Sequence, residues 1–243
     1  MRIRRTSALL VGTALAGGLT MACNSSRATP TTPTAAPSMD EMAGMDHSTT
    51  AGVKDGEIYM ADLHPLNPGV GYRDVKGQAK FQVVNGQFVA MDEATGAQPG
   101  MIHPQHIHAA AQCPPASADV NHDGYVDVIE GLPFYGAILV PLDSDLSNQA
   151  AGTFPFVGNN GGALTYRQSV PLTAFLADLN APDPDPSDAV VKLNGAPLDL
   201  PSRHVVLHGV ALDTPLPSTV ASLPGLPAQL TLPIACGEIT RVK

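Results

Sequence analysis

The sequence predicts an all-β domain, an antiparallel sandwich or barrel with long loops. The 243-residue chain carries 23 glycines and 23 prolines, a density of turn residues that favours short strands over helices. Short apolar and β-branched runs recur between those turns, as strands require. The dipeptide Asn85-Gly86 separates Phe81-Gln82-Val83-Val84 from Gln87-Phe88-Val89-Ala90-Met91, which is a strong hairpin signal. Apolar residues make up 44% of the chain, enough for one core behind an N-terminal extension. No internal repeat is visible.

Residues 1–22 read as an export signal peptide. Arg2, Arg4 and Arg5 precede an apolar run, Ala8–Leu19, too short to span a bilayer permanently. Ala22-Cys23 is a lipoprotein-type processing site, so a lipid anchor on Cys23 is expected, facing the periplasm or exterior of a bacterial membrane. Thr20 stands where leucine is usual, with Leu19 one residue further back; cleavage without lipidation is the alternative. The net charge of −9 becomes about −12 without those three arginines. Such a chain does not suit nucleic acid or an anionic membrane face, and it does suit a protein that gathers cations.

Residues 23–53 form a linker. Asn24–Pro37 is rich in Ser, Thr, Pro and Ala, a disordered tether. Ser38–Ser48 is different: Met39, Met42, Met45 and His47 recur within it. Thioethers are soft ligands that select Cu(I), so this stretch is a candidate for copper capture, against chance methionines in a polar tail.

The β domain covers 54–243. Strands are expected at Glu57–His64, Gly77–Val84, Gln87–Met91, Met101–His108, Gly136–Leu142, Leu164–Val170, Arg203–Val210, Gln229–Leu232 and Ile234–Val242. Pro171–Leu179 suits a short helix. Ala181–Asp188 and Ala211–Pro227 are Pro-punctuated loops.

The chemistry concentrates in Met101–Glu130. His106 and His108 are two apart, so on a strand both imidazoles share one face, and imidazole suits copper and zinc. His103 is close enough to join them or to order the strand. Further on, Asp119, Asn121, Asp123, Gly124, Tyr125, Asp127 and Glu130 fill every position of a twelve-residue calcium loop. Pro114-Pro115 before it and Pro133 after it leave little room for the two full helices of a paired EF-hand. A single exported loop should bind calcium in the weak regime, roughly 10⁻⁴–10⁻³ M. The bland alternatives are hydrogen-bonded core histidines and a solvated acidic turn. No Ser-His-Asp set, nucleophile elbow or phosphate-binding glycine loop stands out.

There are three cysteines, Cys23, Cys113 and Cys236. In an oxidising compartment an odd cysteine needs a reason. A lipid on Cys23 would leave Cys113 and Cys236, either bridged or as two buried thiols.

At this point the chain resembles the copper/zinc superoxide dismutase family. Met101-Ile102-His103-Pro104-Gln105-His106-Ile107-His108 keeps, in register, the three histidines of that family's G-L-H-G-F-H-V-H strand. Arg203-His204-Val205-Val206-Leu207-His208 keeps the spacing of its R-x-x-V-V-H strand, and Ala235-Cys236-Gly237-Glu238-Ile239 its final A-C-G-x-I strand. The resemblance covers Gly56–Lys243. It implies an eight-stranded Greek-key β-barrel, copper on His106, His108 and His208, which would also be the catalytic residues, and a Cys113–Cys236 disulfide. The departures matter as much. Between Cys113 and His204 the only histidine is His122, so the family's zinc ligands are missing and no zinc is expected. Pro233 stands where the family has a substrate-steering arginine, and Asp213 is the only charge between Val210 and Ala235.

Three functional expectations follow. The first is an exported superoxide dismutase-like metalloprotein with copper and a structural calcium loop, acting on superoxide if active. The second is a copper-binding or buffering protein without turnover. The third is a calcium-stabilised structural surface domain.

Overall fold

The computed structural model describes residues 52–71, 73–149, 162–183 and 189–243; the export signal, Cys23 and the Met39–His47 segment lie outside them. The described strands are β1 (Ile58–Pro65), β2 (Lys76–Val84), β3 (Gln87–Thr95), β4 (Gln105–His108), β5 (Ile138–Pro141), β6 (Ala163–Pro171), β7 (His204–His208), β8 (Pro233–Glu238) and β9 (Thr240–Arg241). The helices are α1 (Val128–Tyr135), α2 (Leu172–Leu179) and α3 (Ala228–Thr231).

All strand pairs are antiparallel. They form one curled, half-barrel sheet in the order β5-β4-β7-β8-β1-β2-β3-β6, with β9 beside β1. The β2–β3 hairpin turns at Asn85 and Gly86 as the sequence predicts. Both have positive φ, 51° and 71°, the combination that lets a two-residue turn match strand twist.

Alternation builds the core. Tyr59, Ala61 and Leu63 of β1, Ala79, Phe81 and Val83 of β2, Phe88, Ala90 and Ala94 of β3, and Leu164, Tyr166 and Val170 of β6 are buried, while their neighbours in sequence are mostly more exposed. Phe175 of α2 stacks on Phe88 with centroids 4.3 Å apart. Burying each such ring contributes roughly 1.5–3 kcal/mol.

β4, β7 and β8 differ: nearly every residue in them is buried. Their inner residues, Ile107, Val205, Leu207 and Ala235, belong to the main core. On the other face, Val206 and Cys236 pack with Leu66, Tyr135 and Cys113 in a separate apolar cluster. A second layer therefore covers this part of the sheet. The Cys113–Cys236 disulfide, with Cα atoms 5.8 Å apart, fastens that layer to β8. A bridged pair fits an oxidising, exported environment. Gly237 allows β8 to approach β1 closely: a Cβ there would lie 2.5 Å from the Asp62 carbonyl oxygen.

Three elements differ from expectation. Pro104 shortens the expected Met101–His108 strand, which begins at Gln105, because proline has no N–H to give the ladder. The expected strand at Gln229–Leu232 is instead the single turn α3, closed by Leu232 N–H donating to the Ala228 carbonyl at 2.9 Å. A helix, α1, does follow the acidic loop, despite Pro133 lying inside it. Asp127 caps it: its side chain accepts from the N–H groups of Ile129 and Glu130, and Glu130 reaches back to the Asp127 N–H. That is a complete capping box.

One buried group of the barrel yields a direct expectation. Asp92 of β3 is 1% exposed, and neither carboxylate oxygen has a hydrogen-bond partner. Burial, with the neighbouring Glu93 charge second, pushes its pKa up to about 7. A carboxyl whose folded pKa is raised binds more protons folded than unfolded, so its contribution falls as pH rises from about 4 to about 7. An Asp92→Asn variant should lack this fall. Relative to the parent it should gain up to roughly 4 kcal/mol between pH 4 and pH 8. Urea denaturation of both proteins across that range checks this, and parallel curves would refute it.

Candidate metal centre

The outward face of β4 and β7 carries four histidines. Antiparallel register sets His106 opposite Val206 and His108 opposite His204, while a register shift between Leu207 and His208, the last residue of β7, sets His208 opposite Pro233. One ring nitrogen from each of His106, His108 and His208 lies within 4.8 Å of the other two. These three side chains are close enough to hold one metal ion. His106 is 8% exposed, and His108 and His208 are buried more deeply.

The backbone selects which nitrogen faces the site. His108 Nδ1 lies 2.9 Å from the Gly136 carbonyl oxygen, and His208 Nδ1 lies 2.7 Å from that of Thr231. A carbonyl only accepts, so each Nδ1 carries the proton and donates. Nε2 then holds the free lone pair that a metal needs. Both Nε2 atoms are buried with no hydrogen-bond partner. Burial also depresses the pKa values: His106 and His108 fall well below the ordinary imidazole value, and His208 falls to about 4. Burial favours neutral rings here, and neutral imidazole is the ligand form.

His103 is structural. Its two ring nitrogens face the carbonyl oxygens of His208, at 3.1 Å, and Gln98, at 2.9 Å, which leaves no nitrogen for an ion. The sequence leaves His204 either at the surface or packed behind the ligands; it is fully buried and stacks on His108 with centroids 5.8 Å apart, the second of the two. Its alternation with Val205 was the signal available in sequence. Tyr135 packs against His108 at 4.7 Å. Arg203 donates to the carbonyl oxygens of Leu198 and Ala109, holding the chain just beyond β4. His64 and His122 are exposed.

In the acidic loop the side chains face backbone N–H groups. Asp119 accepts from Asp123 and Gly124, Asn121 from Asp123, and Asp123 from Tyr125. Glu130 accepts from Val120 at 2.9 Å and, through its other oxygen, from Asp127. Among the described residues, the histidine trio is the group of three or more ligating side chains that converges. The loop is also tied to the segment before β8. Thr219 Oγ1 donates to Asp123 at 2.7 Å, and the Ala221 N–H donates to Asp127 at 2.6 Å. Nothing in the sequence points to that partner segment.

Fold and site together define a disulfide-braced, all-β domain with a buried three-histidine cluster of metal-binding geometry. The chain matches no protein-family model and no curated protein.

Proposed function

We propose that this is an exported copper protein of the copper/zinc superoxide dismutase type, with copper on His106, His108 and His208. The observation that carries the reading is the pair of buried, unpartnered Nε2 atoms on His108 and His208, set beside His106. Three neutral imidazoles fit copper. The neighbour pairs β3–β6 and β4–β7 are long-range connections of the kind a Greek-key path needs, and the disulfide joins the cysteines that the resemblance pairs. Bound copper would supply one-electron chemistry towards superoxide. The chain's own residues hold the rings in one tautomer and keep water from their inner sides. In this reading a calcium ion in the loop 119–130 stiffens the layer over the site, a lipid on Cys23 holds the protein at a bacterial membrane, and Met39, Met42, Met45 and His47 capture copper.

A second reading, copper binding without rapid turnover, is favoured by one observation. Pro233 is buried in β8, where the family has an exposed cation that steers the anionic substrate. Without a focused positive field, association slows by roughly 10-fold or more. The test is elemental analysis of the protein purified from its own compartment, followed by a dismutation assay. One copper per chain, calcium, no zinc and slow dismutation are expected. Absence of copper would end both readings, and turnover near the diffusion limit would end the second.

A further inference from the structure

We infer that Asp127 is a positioning residue for the histidine site: its one carboxylate ties together the two segments whose carbonyl groups orient His108 and His208. The inference rests on the metal reading above and adds to it the residue that sets ligand geometry.

Asp127 is 2% exposed and lies outside the histidine cluster. Its two oxygens serve different segments. Oδ1 accepts from the Ile129 and Glu130 N–H groups, at 2.8 and 3.0 Å, and so fixes the start of α1. The far end of α1 carries Tyr135 against the His108 ring, and the next residue, Gly136, offers the carbonyl that takes the His108 Nδ1 proton. Oδ2 accepts from the Ala221 N–H at 2.6 Å. The next residue, Ser222, places its Oγ 2.8 Å from Thr231 Oγ1, and the Thr231 carbonyl accepts from His208 Nδ1. Both routes begin on one carboxylate and end on the carbonyl groups that decide where two ligand nitrogens point.

The chemistry suits a carboxylate and not an amide. Two oxygens must both accept. In Asp127→Asn the carbonyl oxygen can still cap α1, but the amide N–H₂ would then face the Ala221 N–H, donor against donor. That variant therefore cuts the route to His208 and spares the cap. Ser222→Ala cuts the same route further along without touching Asp127 or α1.

The experiment has two readouts on the full-length protein. The first needs no metal: long-range proton–nitrogen NMR of the histidine rings, which reports tautomer. In the parent, His108 and His208 should be the Nδ1–H form. In Asp127→Asn the His208 ring should move toward mixed tautomers, with exposed His64 unchanged. The second is Cu(II) affinity and the Cu(II) electron paramagnetic resonance spectrum. Groups that orient a ligand typically matter 10–100-fold, so about 10-fold weaker binding and an altered spectrum are expected. Ser222→Ala should shift both in the same direction, and the double variant should be no worse than Asp127→Asn, because the links are in series. A folded Asp127→Asn protein, disulfide intact, with the parent's ring signals and copper affinity would overturn the inference. If that variant does not fold, Ser222→Ala decides alone, and parent-like behaviour there overturns it equally. If the parent takes up no copper while the ring signals still respond to Asp127→Asn, the metal reading fails and the positioning role stands.

Discussion

A His208→Ala variant is expected to bind Cu(II) about 100-fold more weakly than the parent. Structural zinc sites hold their ion with about 10–16 kcal/mol spread over four ligands, which puts roughly 3 kcal/mol on each. Losing one ligand of three therefore costs about two decades in affinity. His106 and His108 should behave alike, because one nitrogen from each belongs to the same 4.8 Å cluster. His103→Ala should not, since both its ring nitrogens face carbonyl oxygens; its effect should fall on stability. Competition titration against a chelator of known affinity measures each. Parent-like copper binding by His208→Ala would show that the three rings do not act as one site.

Removing the disulfide is expected to produce the largest loss of stability. The bridge spans 123 residues of sequence, and in the chain-entropy model a loop of that length contributes about 4–5 kcal/mol. The loss is set against a total stability of only about 5–15 kcal/mol for an ordinary domain, so a Cys113→Ser, Cys236→Ser double variant should melt far below the parent. It should also bind copper less well. Cys113 and Cys236 belong to the cluster of Tyr135 and Val206 under the outer layer, and that layer carries the Gly136 carbonyl that orients His108. Thermal melts with and without reductant, followed by copper titration below the melting range, check both halves. An unchanged midpoint would mean that the layer holds by packing alone.

Part of this site is legible in sequence for simple reasons. The period of two along a strand places His106 and His108 on one face whatever surrounds them. Asn85-Gly86 dictates its own turn. The pairing of Cys113 with Cys236 came only through the resemblance, because cysteine count leaves bridged and free thiols open. The helix α1 went unforeseen although its capping box, Asp127 with Glu130 three residues on, is written in the chain. The same residues fill calcium-loop positions, and that pattern hid the other. The single turn α3 read as a strand because four apolar and polar residues carry too little period to separate the two.

The sequence by itself determined the class of the domain, the hairpin, and which residue types face outward from the histidine strand. All of these follow from local periodicity and turn chemistry, which act over a few residues. His208 is named beside His106 and His108 only through the resemblance, and the fold brings the three together across about a hundred residues. Tertiary structure alone decided that His204 is buried against His108 and which ring nitrogens face the site. Those outcomes depend on the carbonyl groups of Gly136 and Thr231 and on the Ala221 N–H that meets Asp127. Backbone carbonyl groups are the same in every residue, and N–H groups in all but proline, so a sequence does not mark which of them will meet a given ring. Only the packing of the outer layer on the sheet brings them to the rings they orient.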